Sequence, residues 1–207
     1  MLPSRLVLIA DGFTDPARAD RAVAAVRAGV RWVHLRDHGA APEQFEAQAR
    51  DLRKRLRDVD GRVELSVNAR LEVAALLDAH FHTGRRGPDL AEARAQLGGD
   101  AVLGYSAHKA LEAESERTQV ADYFFFSPVF PTPTKPDHPG AGISALRSFC
   151  DAAHPTPVFA LGGITPDRIV ECRQAGAHGV AVCSGIMSAE APGAAARAYL
   201  RALAAPA

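Results

Sequence analysis

Eight times along 207 residues, a short apolar run is followed by a stretch with helical periodicity. This alternation constrains the fold more than any other feature of the chain. The runs are Leu6–Ile9, Arg31–Arg36, Val63–Val67, Phe81–Thr83, Val102–Tyr105, Tyr123–Ser127, Val158–Leu161 and Val180–Cys183. Helical patterns follow at Ala17–Ala28, Pro42–Arg57, Arg70–Leu77, Asp89–Leu97, Ala110–Thr118, Ser144–Ala153, Pro166–Ala175 and Ala194–Leu203. Strand–helix alternation without hairpin signals predicts a parallel sheet. Eight units predict a closed α/β barrel, the (β/α)8 TIM barrel, as one domain over 1–207. An open doubly wound sheet is the alternative. That fold normally carries a phosphate loop after its first strand, where this chain has Asp11-Gly12-Phe13-Thr14-Asp15, which matches neither common fingerprint.

Composition narrows the function. The formal net charge is zero and 47% of residues are hydrophobic, so neither nucleic acid nor an anionic membrane is the expected partner. No apolar run is long enough to cross a bilayer, and Met1–Arg5 lacks a signal peptide's apolar core. Three scattered cysteines, Cys150, Cys172 and Cys183, form no disulfide framework, and a cytoplasmic protein is expected. A homo-oligomer is compatible with all of this.

Barrels carry their chemistry at strand C-termini. After the seventh strand stands Leu161-Gly162-Gly163-Ile164-Thr165-Pro166-Asp167, and after the eighth Cys183-Ser184-Gly185-Ile186. Glycine lets backbone approach a ligand, and helix N-termini present free N–H groups to an anion. Tight turns alone would look similar, but their coincidence at the two usual phosphate-binding places favours anion binding. The segment Pro128–Gly142 contains five prolines and reads as a functional loop, with Thr132, Thr134 and Lys135 suited to an anion. The second strand ends in His34-Leu35-Arg36-Asp37-His38, the third in Asn68, the fifth in Ser106-Ala107-His108. Alternation turns His34 and Arg36 the same way, toward the barrel mouth. A histidine at such a place can move protons near neutral pH, although a lone histidine is more often structural. Asp11 and Asp37 make no convincing metal pair, and His34, His38, His82 and His108 fall in no tight ligand motif. No metal and no cofactor are therefore expected.

These motifs resemble the thiamine phosphate synthase and TenI family from about Leu6 to Met187. The most specific are His34-Leu35-Arg36, Ser106-Ala107-His108, Ser127–Lys135, Ala160–Ile164 and Ser184-Gly185-Ile186. The synthases join a pyrimidine pyrophosphate to a thiazole phosphate with magnesium on the pyrophosphate. Their second-strand pattern is Gln-x-Arg-x-Lys; this chain keeps Arg36 but has His34 and His38. Their third strand ends in Asn-Asp and their fourth runs into His-x-Gly-Gln-Glu-Asp, both aspartates being metal ligands. Here Ala69 and Gly87 stand at those places, and Arg85 and Arg86 compensate in part at most, since arginine does not organise a diphosphate as a metal does. The resemblance implies that Thr132 and Thr134 contact the thiazole phosphate and that Gly163, Cys183 and Ser184 hold its phosphate. Loss of both carboxylates favours the TenI branch. It implies a metal-independent thiazole tautomerase, an isomerase that aromatises a carboxythiazole phosphate with His108 as acid and base and Arg36 near the carboxylate. A divergent synthase, a silent phosphate-ester-binding regulator and a barrel with another phosphate ester as substrate are the alternatives.

Overall fold

The computed structural model describes residues 1–134 and 138–205. Eight parallel strands close into a barrel in sequence order. They are β1 (Leu6–Asp11), β2 (Trp32–Arg36), β3 (Glu64–Asn68), β4 (His80–Gly84), β5 (Leu103–Ala107), β6 (Tyr123–Phe126), β7 (Val158–Leu161) and β8 (Gly179–Val182). Closure is made by β1 against β8, with Leu6 opposite Val180 and Leu8 opposite Val182. The open-sheet alternative is thereby excluded.

Two hydrophobic cores follow from the two faces of the strands. Leu6, Leu8, Val33, Leu35, Phe124, Phe126 and their equivalents point outward and meet the helices. Val7, Ile9, Trp32, Tyr123, Phe125, Phe159 and Ala181 point inward and fill the barrel. Strand alternation makes this separation automatic, because successive side chains leave opposite faces. The outer core accounts for the helices. In α2 (Pro42–Val59), Phe45, Ala49, Leu52 and Leu56 are buried, a spacing that keeps one stripe against the sheet while charged residues face water. At the start of α1 (Pro16–Arg27), the Asp15 carboxylate accepts from the Arg18 N–H at 2.9 Å, and Pro16 occupies the first turn, where its missing N–H costs nothing. Asp89 caps α4 (Leu90–Leu97) in the same way, accepting from Ala91 N–H at 2.8 Å. The remaining helices are α3 (Leu71–Leu76), α5 (Gly142–Ala153), α6 (Ile169–Gln174), α7 (Ser184–Met187) and α8 (Pro192–Ala204).

One predicted helix is absent. The stretch Ala110–Thr118 forms two 3-10 turns, Ala110–Glu112 and Glu116–Thr118. Local side chains outcompete the helix. Glu112 Oε2 accepts from the N–H groups of His108 at 2.6 Å and Lys109 at 2.9 Å. The Thr118 hydroxyl lies 2.9 Å from the Glu112 carbonyl and 2.8 Å from that of Ser115. Among the described residues no helix is long and apolar enough to cross a membrane.

Candidate functional site

The inward residues at the upper ends of the strands surround a cavity of about 900 Å³. β2 contributes Arg36, β3 Asn68, β4 Gly84, β5 Ser106 and β7 Leu161; the following loops add His38, His108, Ser127, Gly163 and Cys183. Loop after loop reaches the same opening because all strands are parallel and end on one side.

One end of the cavity is built from backbone. Gly162 and Gly163 have φ of +95° and +64°, a region where a side chain is strained. A Cβ on Gly162 would come 2.7 Å from Pro128 Cα, and one on Gly163 2.4 Å from the Pro131 carbonyl oxygen. The proline-rich loop therefore packs on the glycine turn at a distance only glycine permits. Arg168 clamps the turn from the other side. Its Nη1 donates to the Gly163 carbonyl at 2.7 Å, and its guanidinium lies 4.3 Å from the Phe130 ring centroid. The Tyr199 hydroxyl donates to the Ile164 carbonyl at 2.8 Å, fixing the same turn to α8. Gly163, Ser184 and Gly185 line the cavity, and their N–H groups have no backbone acceptor among the described residues. Such preset donors suit an anion.

The floor is aromatic and polar at once. His82 stacks on Phe125 with centroids 4.2 Å apart, and His34 meets His82 edge-on at 5.1 Å. His82 Nδ1 lies 3.0 Å from the Tyr123 hydroxyl and its Nε2 2.8 Å from Ser106 Oγ. His34 Nδ1 lies 2.9 Å from Ser66 Oγ, which also accepts from the Trp32 indole N–H at 3.1 Å. Burial drives the His34 pKa down to about 3, with Arg36 adding to the effect. His82 is lowered well below the usual histidine value by the same burial, then by His34 and Arg36. Both rings are neutral at neutral pH. The network is thus an uncharged bed beneath a charged opening, and it reaches the cavity through Ser106.

The opening is cationic. Arg36, Arg85, Arg86 and Arg168 line the cavity with His38 and His108, while no Asp or Glu side chain lines it among the described residues. Arg36 is held by Asp11, Nε to Oδ1 at 2.8 Å. The His108 ring donates through Nδ1 to the Ser127 carbonyl in the tautomer that this acceptor requires, which leaves Nε2 as the free ring nitrogen. Burial raises the Cys183 thiol above its usual value, so it is a neutral wall rather than a thiolate.

The structure thus gathers Arg36, Asn68, Ser106, His108, Thr132, Thr134, Gly163, Cys183 and Ser184 around one cavity. Lys135 lies outside the described residues. His34 faces inward as alternation requires but sits below the cavity, 2% exposed. Arg168 escaped sequence reasoning as part of a site, whereas Arg85 and Arg86 were expected to stand in partly for the missing carboxylate-held metal. Arg168 follows a proline on a 3-10 turn, and only its position just after the glycine pair marks it. Arg85 and Arg86 are marked by standing where the family pattern has Gln-Glu.

Fold and site define a class: a (β/α)8 barrel whose strand-end cavity is cationic and lined by glycine turns after β7 and β8. Within that class, residues 6–186 match the family model described as thiamine monophosphate synthase, and the chain belongs to that family. It is 37% identical over 203 residues to a thiamine-phosphate synthase of Chloroflexus aurantiacus, covering 96% of this chain and 92% of the relative. It is 36% identical over 202 residues to a thiamine-phosphate synthase of Synechococcus sp., covering 95% of this chain but spanning only 56% of that relative. The thiamine phosphate pyrophosphorylase of Pyrococcus furiosus superposes with a TM-score of 0.84 at 25% identity, over 98% of this chain and 96% of that one.

These relatives overturn the expectation of a TenI-type tautomerase and hence of an isomerase. That expectation rested on two substituted positions, whereas the likeness to proteins named synthase extends over nearly the whole chain. The residues present do not fit a carboxylate-held magnesium. A Cβ placed on Gly87 would stand 3.6 Å from the Ala69 Cβ, so the two positions face each other, yet neither carries an oxygen ligand.

Proposed function

We propose that this chain is a transferase of the thiamine-phosphate synthase type, joining a pyrimidinylmethyl diphosphate to a thiazole phosphate. The near full-length likeness to the Chloroflexus synthase carries the reading. The cavity supports it in three ways. Its volume of about 900 Å³ is at the upper end of the range for small-molecule sites and accommodates two substrates side by side. Its glycine turns suit a phosphate monoester, and its opening carries guanidinium groups for a second, more highly charged anion.

The reaction asks little of the protein in proton transfer. The thiazole nitrogen lone pair forms a C–N bond to the pyrimidine methylene carbon. The carbon–oxygen bond to the diphosphate breaks, its electron pair leaving with the oxygen, and no proton is gained or lost. Positioning and charge stabilisation are then the main contributions. Gly163, Cys183 and Ser184 with Thr132 and Thr134 hold the thiazole phosphate, and Lys135 adds positive charge from the same loop. Asn68, Ser106 and Arg36 face the pyrimidine side. His108 serves as a hydrogen-bond partner to substrate through Nε2 rather than as acid and base. The neutral bed of His34 and His82 keeps the floor dry, so that charge interactions above it are less screened.

Incubation of the full chain with both substrates, followed by separation of thiamine phosphate from the reactants, tests the proposal. Product above a no-protein control is expected. Absence of product with either order of addition, with and without magnesium, would remove it.

A further inference from the structure

A departing diphosphate carries several negative charges, and the positions that would bring it a divalent cation, Ala69 and Gly87, have no carboxylate. What this part of the cavity offers instead is positive. Arg85 and Arg86 follow β4 directly, line the cavity and enter no ion pair among the described residues. Their turn is held from behind. The Gly87 N–H donates to the Gly84 carbonyl at 2.9 Å, and Arg117 donates to the Gly87 carbonyl at 3.2 Å. Arg36 lines the same cavity from β2 with its Nε already on Asp11 and a terminal nitrogen 4.0 Å from Cys183 Sγ. An opening with several guanidinium groups and no lining carboxylate among the described residues disfavours a free divalent cation and favours a polyanion. The turn also leaves no free space for a side chain at position 87. A Cβ at position 87 would lie 2.2 Å from Thr83 Oγ1, and Thr83 is buried.

We propose that this opening is a metal-independent diphosphate clamp. Arg85 and Arg86, aided by Arg36, take up the charge of the leaving diphosphate through forked hydrogen bonds. A divalent cation has no place in the site and competes with it, since magnesium in solution occupies the same diphosphate oxygens. The identity of the diphosphate as a leaving group rests on the transferase reading. Its binding does not.

Calorimetric titration of the full chain with inorganic diphosphate tests the clamp, in chelator-treated buffer and again in millimolar magnesium. Binding is expected in chelator, with affinity unchanged or several-fold weaker when magnesium is added. Arg85→Ala with Arg86→Ala should weaken it by about a hundredfold, roughly tenfold for each guanidinium removed. Arg85→Lys with Arg86→Lys should recover part of the loss, because charge returns without the fork. Matching circular dichroism and melting temperature show that each variant is folded. Binding that requires magnesium, or wild-type affinity in the folded double alanine variant, overturns the proposal. If the two organic substrates are joined only when magnesium is present, the transferase reading stands and the clamp falls. If inorganic diphosphate binds as stated but the substrates are never joined, the clamp stands and the transferase reading falls.

Discussion

Replacing Ala69 with glycine should stabilise this protein, although alanine-to-glycine changes normally do the reverse. Ala69 has a φ of +56°, in the left-handed region that costs an L-residue about 1–2 kcal/mol. Glycine removes that strain but returns about 0.5–1 kcal/mol through the greater freedom of its unfolded chain. Ala69 is exposed, so its methyl group gives up little packing when removed. The balance is a gain of about 0.5–1 kcal/mol, or roughly 1–4 °C in melting temperature for a domain of this size. Urea unfolding of the full chain measures it as a shift in midpoint at constant slope. The comparison is Ala47→Gly, at an exposed position of α2, where the same change should cost about 1 kcal/mol. Opposite signs are expected for the two variants. Destabilisation by Ala69→Gly equal to that of Ala47→Gly would refute the claim that position 69 is strained. Asparagine and aspartate tolerate this backbone better than alanine does. The strain at Ala69 is therefore what replacing the family's aspartate by alanine, with the backbone kept, would leave behind.

Three other outcomes follow from the site. Gly163→Ala brings a Cβ to 2.4 Å from the Pro131 carbonyl oxygen; calorimetry should find at least about fivefold weaker binding of the thiazole phosphate, if roughly 1–3 kcal/mol of overpacking falls on the bound turn. Gly87→Asp should cost about 1–3 kcal/mol in urea unfolding through its clash with Thr83, and Thr83→Ala should restore most of it; a neutral single variant would contradict the closed turn. The His34 pKa falls from 6.5 unfolded to about 3 folded, so the unfolded state takes up its proton first. Stability is then complete above the unfolded value and declines as pH falls from there toward the folded one, by about 2 kcal/mol at pH 5 from this ring alone. His34→Gln should flatten that decline, and an unchanged profile of melting temperature against pH would exclude the buried neutral ring as its source.

The barrel was legible because each apolar run had to be a strand buried on both faces, and eight of them in alternation with helices leave few topologies. That the two glycine turns share one cavity was legible for a related reason: Gly162-Gly163 and Ser184-Gly185 stand where parallel strands bring loops together. Other features need the third dimension. Alternation turns both His34 and Arg36 inward, but which of them reaches the opening depends on the stagger of strands around the closed barrel. The loss of helix over Ala110–Thr118 comes from Glu112 and Thr118 bonding to backbone, a competition that apolar spacing does not register. Arg168 acts through the Gly163 carbonyl and the Phe130 ring, partners set by how one loop folds over another. The tautomerase expectation failed for a different reason. It took the absence of carboxylates at Ala69 and Gly87 as evidence about the reaction, whereas the likeness to synthases extends over nearly the whole chain.

The most direct test of the account is formation of thiamine phosphate by the full chain from the pyrimidinylmethyl diphosphate and the thiazole phosphate, followed in parallel with chelator and with magnesium. The account predicts product under both conditions, at a rate that magnesium does not raise, together with one released diphosphate for each thiamine phosphate. No product under either condition, with both substrates shown by calorimetry to bind, would contradict the transferase reading at its centre.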